Sequence, residues 1–528
     1  MMLAPIGGCV SRPVRLSPDG QAALLPYRPK GYPVGNLLMD EGMVCLGGKS
    51  CRKIYITSKG NSNRPSKDGR RSEKGKTEPM MNIQLVLKLL HQLEQMRRHE
   101  LWTRQQLEAY QAEALRRLRE YAYARSPFYQ QFHKGLTDRP LHELPVLTKS
   151  MMMEHFDEFV TARSVSLGDV RAHIQQDING SQYLGRYRVN ATSGSSGSPG
   201  IFLFDTAEWL AILASFARAH GWAGAKVNLR HRMKMASVAS VSPWHMSAQV
   251  GRTLNSWWMP ALRLAATEPL PAIVSRLNEW QPDMLVAYAS MLRILANEQL
   301  AGRLRIHPHL VFASSEVLTP ETSSLVEKAW DHPPFNEYAA TETGGLAAEC
   351  KADQLMYLFE DLTIVEVVDE HNRPVAPGRF GDKLLITTLF SRTQPLIRYQ
   401  LNDSVRLAAG PATHGLPFTG IDAIQGRIED VLYLPGIGGK KEVMIHPLTF
   451  HQILDPLPVS GWQVIRKRDG LSVLLTDVRN GLTDQLLVDT LSRALVDQGA
   501  TGLPVTVQRV PAIPKTAAGK APLIRADM

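Results

Sequence analysis

Apolar positions along this chain follow two rhythms. Between Asn82 and Tyr129 they recur about every 3.6 residues: Leu85, Leu87, Leu89, Leu90 and Leu93, then Leu107, Tyr110, Leu115, Leu118 and Tyr121. That period predicts amphipathic helices. From about residue 200 to 425, short apolar runs alternate with helical patterns. Segments 285–288, 310–313 and 384–387 read as strands, and 207–219 and 321–330 as helices. Thr363–Val368, followed by a turn at 369–373, reads as a hairpin strand. The interleaving predicts α/β sheets, not an all-α or all-β protein. After Gly426 a smaller α/β unit is expected, with strands at 462–468 and 471–477 and a helix at 483–497.

Composition narrows the class. The 528 residues are 44% hydrophobic and 21% charged, an ordinary globular balance with enough chain for a large core. Collagen-like, coiled-coil and wholly disordered classes are excluded. No run of about 18 uncharged apolar residues occurs, so no membrane insertion is expected. Four cysteines (Cys9, Cys45, Cys51 and Cys350) are too few and too scattered for a disulfide framework, which makes a reducing, cytoplasmic setting the default.

Charge is uneven. The formal net charge is +10, yet residues 1–80 hold 14 Lys+Arg against 6 Asp+Glu, and the rest 46 against 44. The basic character therefore belongs to the N-terminal segment, and no nucleic-acid partner is expected for the body. Residues 1–80 read as a disordered basic extension. A targeting peptide, an anionic-surface tail and an upstream extension outside the fold are its three readings. The last is favoured, because patterned sequence begins at Met80 and Met81. The expected division is 1–80, a large domain over 81–425, and a small mobile domain over 426–528. A homodimer is left open.

The candidate chemistry starts at Thr192-Ser193-Gly194-Ser195-Ser196-Gly197-Ser198-Pro199-Gly200, hydroxyls alternating with glycines ahead of an apolar run. Glycines let backbone N–H groups converge and serines add donors, which suits a polyphosphate. The spacing is neither a P-loop nor a dinucleotide fingerprint, and a Gly/Ser linker is the bland alternative. Four further motifs follow in order: Tyr338-Ala339-Ala340-Thr341-Glu342-Thr343-Gly344-Gly345, Arg398-Tyr399-Gln400-Leu401-Asn402-Asp403, Gly426-Arg427-Ile428-Glu429-Asp430, and Pro514-Lys515-Thr516-Ala517-Ala518-Gly519-Lys520. Each has its own bland reading: a helix cap at Thr341/Glu342, a turn at Asn402-Asp403, a solvated pair at Arg427 and Glu429, a surface tail at Lys520.

Taken together, the ordered set resembles the adenylate-forming superfamily of acyl-CoA synthetases and aryl-CoA ligases. Within it, 121–128, 144–149, 375–381 with Thr387-Thr388-Leu389, and Pro395-Leu396-Ile397-Arg398-Tyr399 resemble the phenylacetate–CoA ligase branch. The resemblance spans about 83–528. It implies a large N-terminal α/β domain with several sheets and a small mobile C-terminal α/β domain. It also implies that ATP and Mg²⁺ convert a small-molecule carboxylic acid to an acyl-adenylate, which coenzyme A then captures.

On that resemblance, Thr192, Ser193, Gly194, Ser195, Ser196 and Gly197 cradle the β- and γ-phosphates. Tyr338 stacks on adenine, Thr341 contacts the α-phosphate and Glu342 holds the metal. Asp403 accepts from the ribose hydroxyls, and Arg427 reaches the nucleotide. Lys520 bridges carboxylate and α-phosphate, and the small domain swings about Glu429. The chain departs from the family at Ala339, Asn402, Glu429 and Gly200, which leaves acid and acceptor open. His245, Tyr288 and Ser290 lie where the family builds its acid pocket. Core packing is the stronger reading for Trp244 and Tyr288, capping competes at His245, and a buried thiol outranks a zinc ligand at Cys350. Transfer to an amine, a sugar or a carrier-protein thiol is the enzymatic alternative. A catalytically inactive nucleotide-binding protein is the alternative of another class.

Overall fold

The computed structural model describes residues 83–526, apart from 178, 193–198, 226–231, 354, 411–414, 428–431, 438–441, 446, 455–456, 460, 479–482 and 516–520. The predicted N-terminal helices are Ile83–His99, Arg104–Arg125 and Pro127–Phe132. The second starts at a reciprocal cap: Thr103 accepts from the Gln106 amide, and the Gln106 side chain accepts from the Thr103 amide. Such a box satisfies two of the donors that a helix start leaves open.

The centre is a nine-stranded mixed sheet. Five strands run parallel: Ala261–Ala265 at the edge, then Met235–Ala239, Met284–Tyr288, Leu310–Ser314 and Phe335–Ala340. Helices Met246–Leu254, Leu270–Trp280, Ala289–Leu300 and Pro320–Trp330 link them. This is the alternation read from the sequence, and parallel strands covered by helices need nearly continuous apolar runs. Four antiparallel strands complete the sheet in the order Gly344–Glu349, Met356–Leu358, Gly420–Arg427 and Asp403–Leu407.

Two smaller sheets flank it. Arg188–Ala191 pairs with Ile201–Phe204. Thr363–Val368, Lys383–Thr388 and Tyr399–Leu401 form the other. The hairpin expected at Thr363–Val368 is present with a longer link. Asp369 closes the turn by accepting from the amides of His371 and Arg373, and the chain continues to Lys383 before it pairs back.

The C-terminal elements have a hydrophobic cluster of their own, with Trp462, Val464, Val473, Leu475, Leu491 and Ile524 among its members. A four-stranded sheet runs Val505–Arg509, Gly470–Thr476, Gly461–Lys467, Ile524–Ala526. Helix Asp484–Asp497 begins at Thr483, which caps the Leu486 amide. No helix among the described residues is long and apolar enough to cross a membrane.

Candidate functional site

Tyr338, Thr341 and Glu342 come from one hairpin. Phe335–Ala340 and Gly344–Glu349 pair antiparallel, with a register shift between Tyr338 and Ala339. The Thr343 amide donates to the Ala340 carbonyl at 3.3 Å. Thr341 and Glu342 are therefore the two central residues of a tight turn, not the helix cap weighed from sequence. The glycine pair explains how the turn is held. Gly344 has φ +72°, and a Cβ there would stand 2.9 Å from Ile212 Cγ2. The Gly345 amide donates to Ser215 Oγ at 2.9 Å. Helix Thr206–Trp222 can thus lie directly against the strand leaving the turn, an approach any larger residue would block.

Two sequence-distant motifs meet here. The Tyr338 hydroxyl donates to Asp403 Oδ2 at 2.7 Å, although three strands separate their own strands in sheet order. Asp403 also stands opposite Arg427 in the backbone register; the Arg427 side chain lies outside the described set. Glu342 is 8% exposed, and the Tyr399 hydroxyl donates to its Oε1 at 3.4 Å.

The glycine–serine loop springs from the Arg188–Ala191/Ile201–Phe204 pair. Thr192 closes its neck: its amide donates to the Gly200 carbonyl (3.0 Å) and its Oγ1 accepts from the Gly200 amide (2.8 Å). Ser193, Gly194, Ser195, Ser196 and Gly197 lie outside the described residues, as do Glu429 and Lys520. Two positions below the neck, Asn190 is fully buried, and neither side-chain polar atom has a hydrogen-bond partner.

The acid-pocket candidates gather at the C-terminal ends of the parallel strands, where open α/β sheets bind ligands. Tyr288 is buried, and its hydroxyl accepts from the Ser240 amide at 2.9 Å. Burial first, and the negative charge of Glu316 in addition, push its pKa up to about 12. His245 precedes helix Met246–Leu254 without capping it; its Nδ1 lies 2.7 Å from Ser240 Oγ. The Ser290 amide donates to Glu316 Oε2 at 2.8 Å, while its Oγ is buried without a partner. Ser240, Glu316 and Asn190 escaped the sequence reading; none sits in a motif, and the only signal available was position at a strand end or beside one. Tyr399 was quoted within the Arg398–Asp403 motif but given no role of its own. A groove of about 470 Å³ between the outer helices, lined by Leu270, Asn278, Glu298 and Arg303, touches none of these residues.

The branch-type segments converge elsewhere, on a buried bracket. Arg398 is 3% exposed with φ +50°. Its guanidinium pairs with both oxygens of Glu366 at 3.0 Å and donates to the Leu144 carbonyl at 2.5 Å. Its backbone carbonyl accepts from Leu147. The Tyr129 hydroxyl donates to the Pro395 carbonyl at 2.7 Å. Trp244 is buried, as core packing requires. Cys350 packs with Leu107, Tyr357 and Phe418, and no group of three or more His, Cys, Asp or Glu among the described residues could hold a metal.

No protein-family model matches the chain. Protein CapK of Staphylococcus aureus is 25% identical over 285 residues, covering 52% of this chain and 56% of that protein; the match thus spans little more than half of that relative. The phenylacetate-coenzyme A ligase of Thermus thermophilus is 24% identical over 390 residues, 70% of this chain and 80% of that one. Among solved structures, 2-hydroxyisobutyryl-CoA ligase in the postadenylation state superposes with a TM-score of 0.64 at 18% identity, covering 81% of this chain and 91% of that one. The same ligase in its thioesterification state gives 0.51. Fold and sequence agree: this chain is similar to the phenylacetate-coenzyme A ligases at 24–25% identity and shares its fold with a solved CoA ligase.

Proposed function

We propose that the protein is an AMP-forming acid:CoA ligase. It would activate a carboxylic acid with ATP and pass the acyl group from the adenylate to the thiol of coenzyme A. The observation that carries this reading is the 2.7 Å bond from Tyr338 to Asp403. It sets an aromatic ring and a carboxylate side by side, next to a turn that presents Thr341 and Glu342. An aromatic face suits a nucleobase, and a carboxylate accepts from paired ribose hydroxyls.

The chemistry asks for this combination. A carboxylate is a poor acyl donor because oxide is a poor leaving group; AMP in a mixed anhydride is a good one. Two anions must be held against each other and their charge stabilised. The loop from Thr192 to Gly200 would hold the β- and γ-phosphates, with Thr192 at its closed neck. The unsatisfied Asn190 amide below the neck fits a loop base that still has hydrogen-bonding capacity to give. Thr341 would donate to the α-phosphate. Lys520 would bridge it to the incoming carboxylate as a compact cation, and Arg427 would contact the nucleotide. Swinging of the 426–528 lobe about Glu429 would then clear the site for the thiol.

Glu342 fits Mg²⁺ as a single carboxylate ligand. With no three-acid cluster among the described residues, the ion's remaining oxygens would come from phosphate and water, as is usual for this cation. When bound, it neutralises charge on the departing pyrophosphate. The acid would lie near Ser240, His245, Tyr288 and Ser290.

ATP–pyrophosphate exchange across a panel of aryl and acyl acids, followed by thioester detection with coenzyme A, tests the proposal. Exchange and thioester formation with the same acid support it. Exchange without thioester transfers the second step to an amine, a sugar or a carrier-protein thiol. ATP binding without any exchange makes the protein an inactive nucleotide binder. Lys520→Ala should lower adenylate formation by about 10²–10³-fold, the cost of losing one preorganised electrostatic partner, while thioester formation from a synthetic acyl-adenylate survives.

A further inference from the structure

Lys515, five residues before Lys520, behaves unlike a surface lysine. Such residues ordinarily lay the apolar stem on the protein and leave the charged head in water. Here the residue is exposed as a whole, yet its ammonium donates to the Ala266 carbonyl at 2.5 Å and approaches Met291 Sδ at 3.3 Å. The chain extends a solvated stem to place the charge in a partly enclosed spot. Desolvation lowers its pKa from the ordinary lysine value, and the Glu316 carboxylate opposes the shift.

The spot matters for its location. Ala266 directly follows strand Ala261–Ala265, Met291 lies in the first turn of helix Ala289–Leu300, and Glu316 follows strand Leu310–Ser314. All three belong to the strand-end edge that also carries Tyr288 and Ser290. Lys515 comes from the far end of the chain. Its own segment is fastened by Gln463, a fully buried residue of strand Gly461–Lys467. The Gln463 Nε2 donates to the Pro522 carbonyl at 2.7 Å and to the Pro514 carbonyl at 3.4 Å. One amide thus gathers both ends of segment 514–522. Lys515 is the first residue inside that tie, and Lys520 is at most roughly 17 Å further along an extended chain.

We propose that Lys515 is a positioning residue: its ammonium, seated on the Ala266 carbonyl beside Glu316, registers the C-terminal segment against the acid-binding edge of the sheet for the adenylation half-reaction. The cation reaches across from the C-terminal lobe, Gln463 fixes the length of the tether, and Glu316 supplies the favourable field at the receiving end. Lys515 touches no reacting atom; it acts by restricting where the following five residues can go. The inference rests on the ligase reading for its effect on turnover, but not for its geometry.

The test separates the two half-reactions. Lys515→Met keeps the stem and removes the charge. It should slow pyrophosphate exchange at least tenfold through kcat, and leave thioester formation from synthetic acyl-adenylate and coenzyme A within twofold of wild type. Lys515→Arg should recover most of the exchange. An equal loss in both halves, or no loss in either, overturns the proposal. A measurement without activity guards against failure of the ligase reading itself. In the full-length protein, a Lys515→Cys/Met291→Cys pair treated with a short bis-maleimide should yield the 515–291 cross-link by peptide mapping, and a Lys515→Cys/Ser324→Cys control pair should not. Absence of the 515–291 link refutes the seating whether or not any acid is activated.

Discussion

Two motif-bearing regions of this chain look alike in sequence and do opposite work. Around Tyr338 the motif residues gather at one end of the sheet: Tyr338, Thr341 and Glu342 sit on or beside a tight turn, and the Tyr338 hydroxyl reaches Asp403. Around Arg398 they turn inward. That guanidinium is spent on Glu366 and the Leu144 carbonyl, and its backbone on Leu147. Both segments carry charged and aromatic residues in a recognisable order. The difference is one of depth: Arg398 is 3% exposed and its donors end on protein groups, whereas Tyr338 and Asp403 are both only partly buried. A charged residue in a motif is a statement about chemistry only when its neighbours have not already satisfied it.

The largest effect that tests this contrast is expected at Arg398. Arg398→Ala removes the partner of Glu366 and leaves a nearly buried carboxylate behind, which costs about 3–5 kcal/mol. The urea midpoint should fall accordingly. Residual folded protein should keep its ATP affinity, because nothing at the turn has changed. The Arg398→Met/Glu366→Leu pair should recover much of the loss, since matched apolar replacements of a buried pair are often tolerated. If Arg398→Ala instead leaves the midpoint alone and abolishes ATP binding, the bracket is part of the site and the comparison fails.

How far the sequence reached follows the same line. The parallel strands 285–288 and 310–313 and the helix 321–330 were legible, because strands covered on both faces must be apolar throughout and the linking helices keep a 3.6-residue stripe. The C-terminal strands and helix expected at 462–468, 471–477 and 483–497 were legible for the same reason. The Tyr338 and Asp403 motifs were legible as residues, but their direct bond was not, since no local pattern announces contact across 65 positions. The strained φ of Arg398 was hidden too: a residue type known for surface charge gives no sign that it will be a buried bracket. Ser240 and Glu316 lay beyond reach because their importance comes from standing at neighbouring strand ends, a property of sheet order alone.

The comparison sharpens within a single strand. Glu337 and Tyr338 are adjacent, so their side chains leave opposite faces. Glu337 is buried with one carboxyl oxygen unsatisfied, and burial pushes its pKa up to about 8. Below the ordinary carboxyl value near 4.5, folded and unfolded chains both hold the proton. Between there and about 8 the unfolded chain has lost it and the folded chain keeps it, so stability falls as pH rises, by at most about 1.4 kcal/mol per unit from this group. Above about 8 the loss levels off. Glu337→Gln imitates the protonated side chain at every pH. Its urea midpoint should match wild type near pH 4.5 and exceed it by an amount that grows toward pH 8, a gain on the order of a few kcal/mol. Parallel pH profiles for the two proteins would mean that Glu337 does not hold its proton in the fold. Glu349 on the neighbouring strand, raised by burial to about 7, stays in both proteins and cancels.

The smallest effect belongs to the outward face. Tyr338→Phe keeps the ring and removes only the hydroxyl that donates to Asp403. Asp403 is half-exposed, so water replaces the lost donor and stability should change by less than about 1 kcal/mol. The nucleotide should notice more than the fold does. Without the tyrosine the carboxylate loses one of the contacts that orient it, and restoring that orientation becomes part of the cost of binding. KM for ATP in the exchange assay should rise about tenfold, corresponding to about 1.4 kcal/mol, with kcat within twofold, because on the proposed reading the hydroxyl would act on ribose placement and not on the reacting phosphorus. Tyr338→Ala should go further, since it also removes the face available to adenine. A Phe variant with unchanged KM but a lowered urea midpoint would show the hydroxyl to be spent on the fold, as Arg398 is, and would erase the distinction between the two regions.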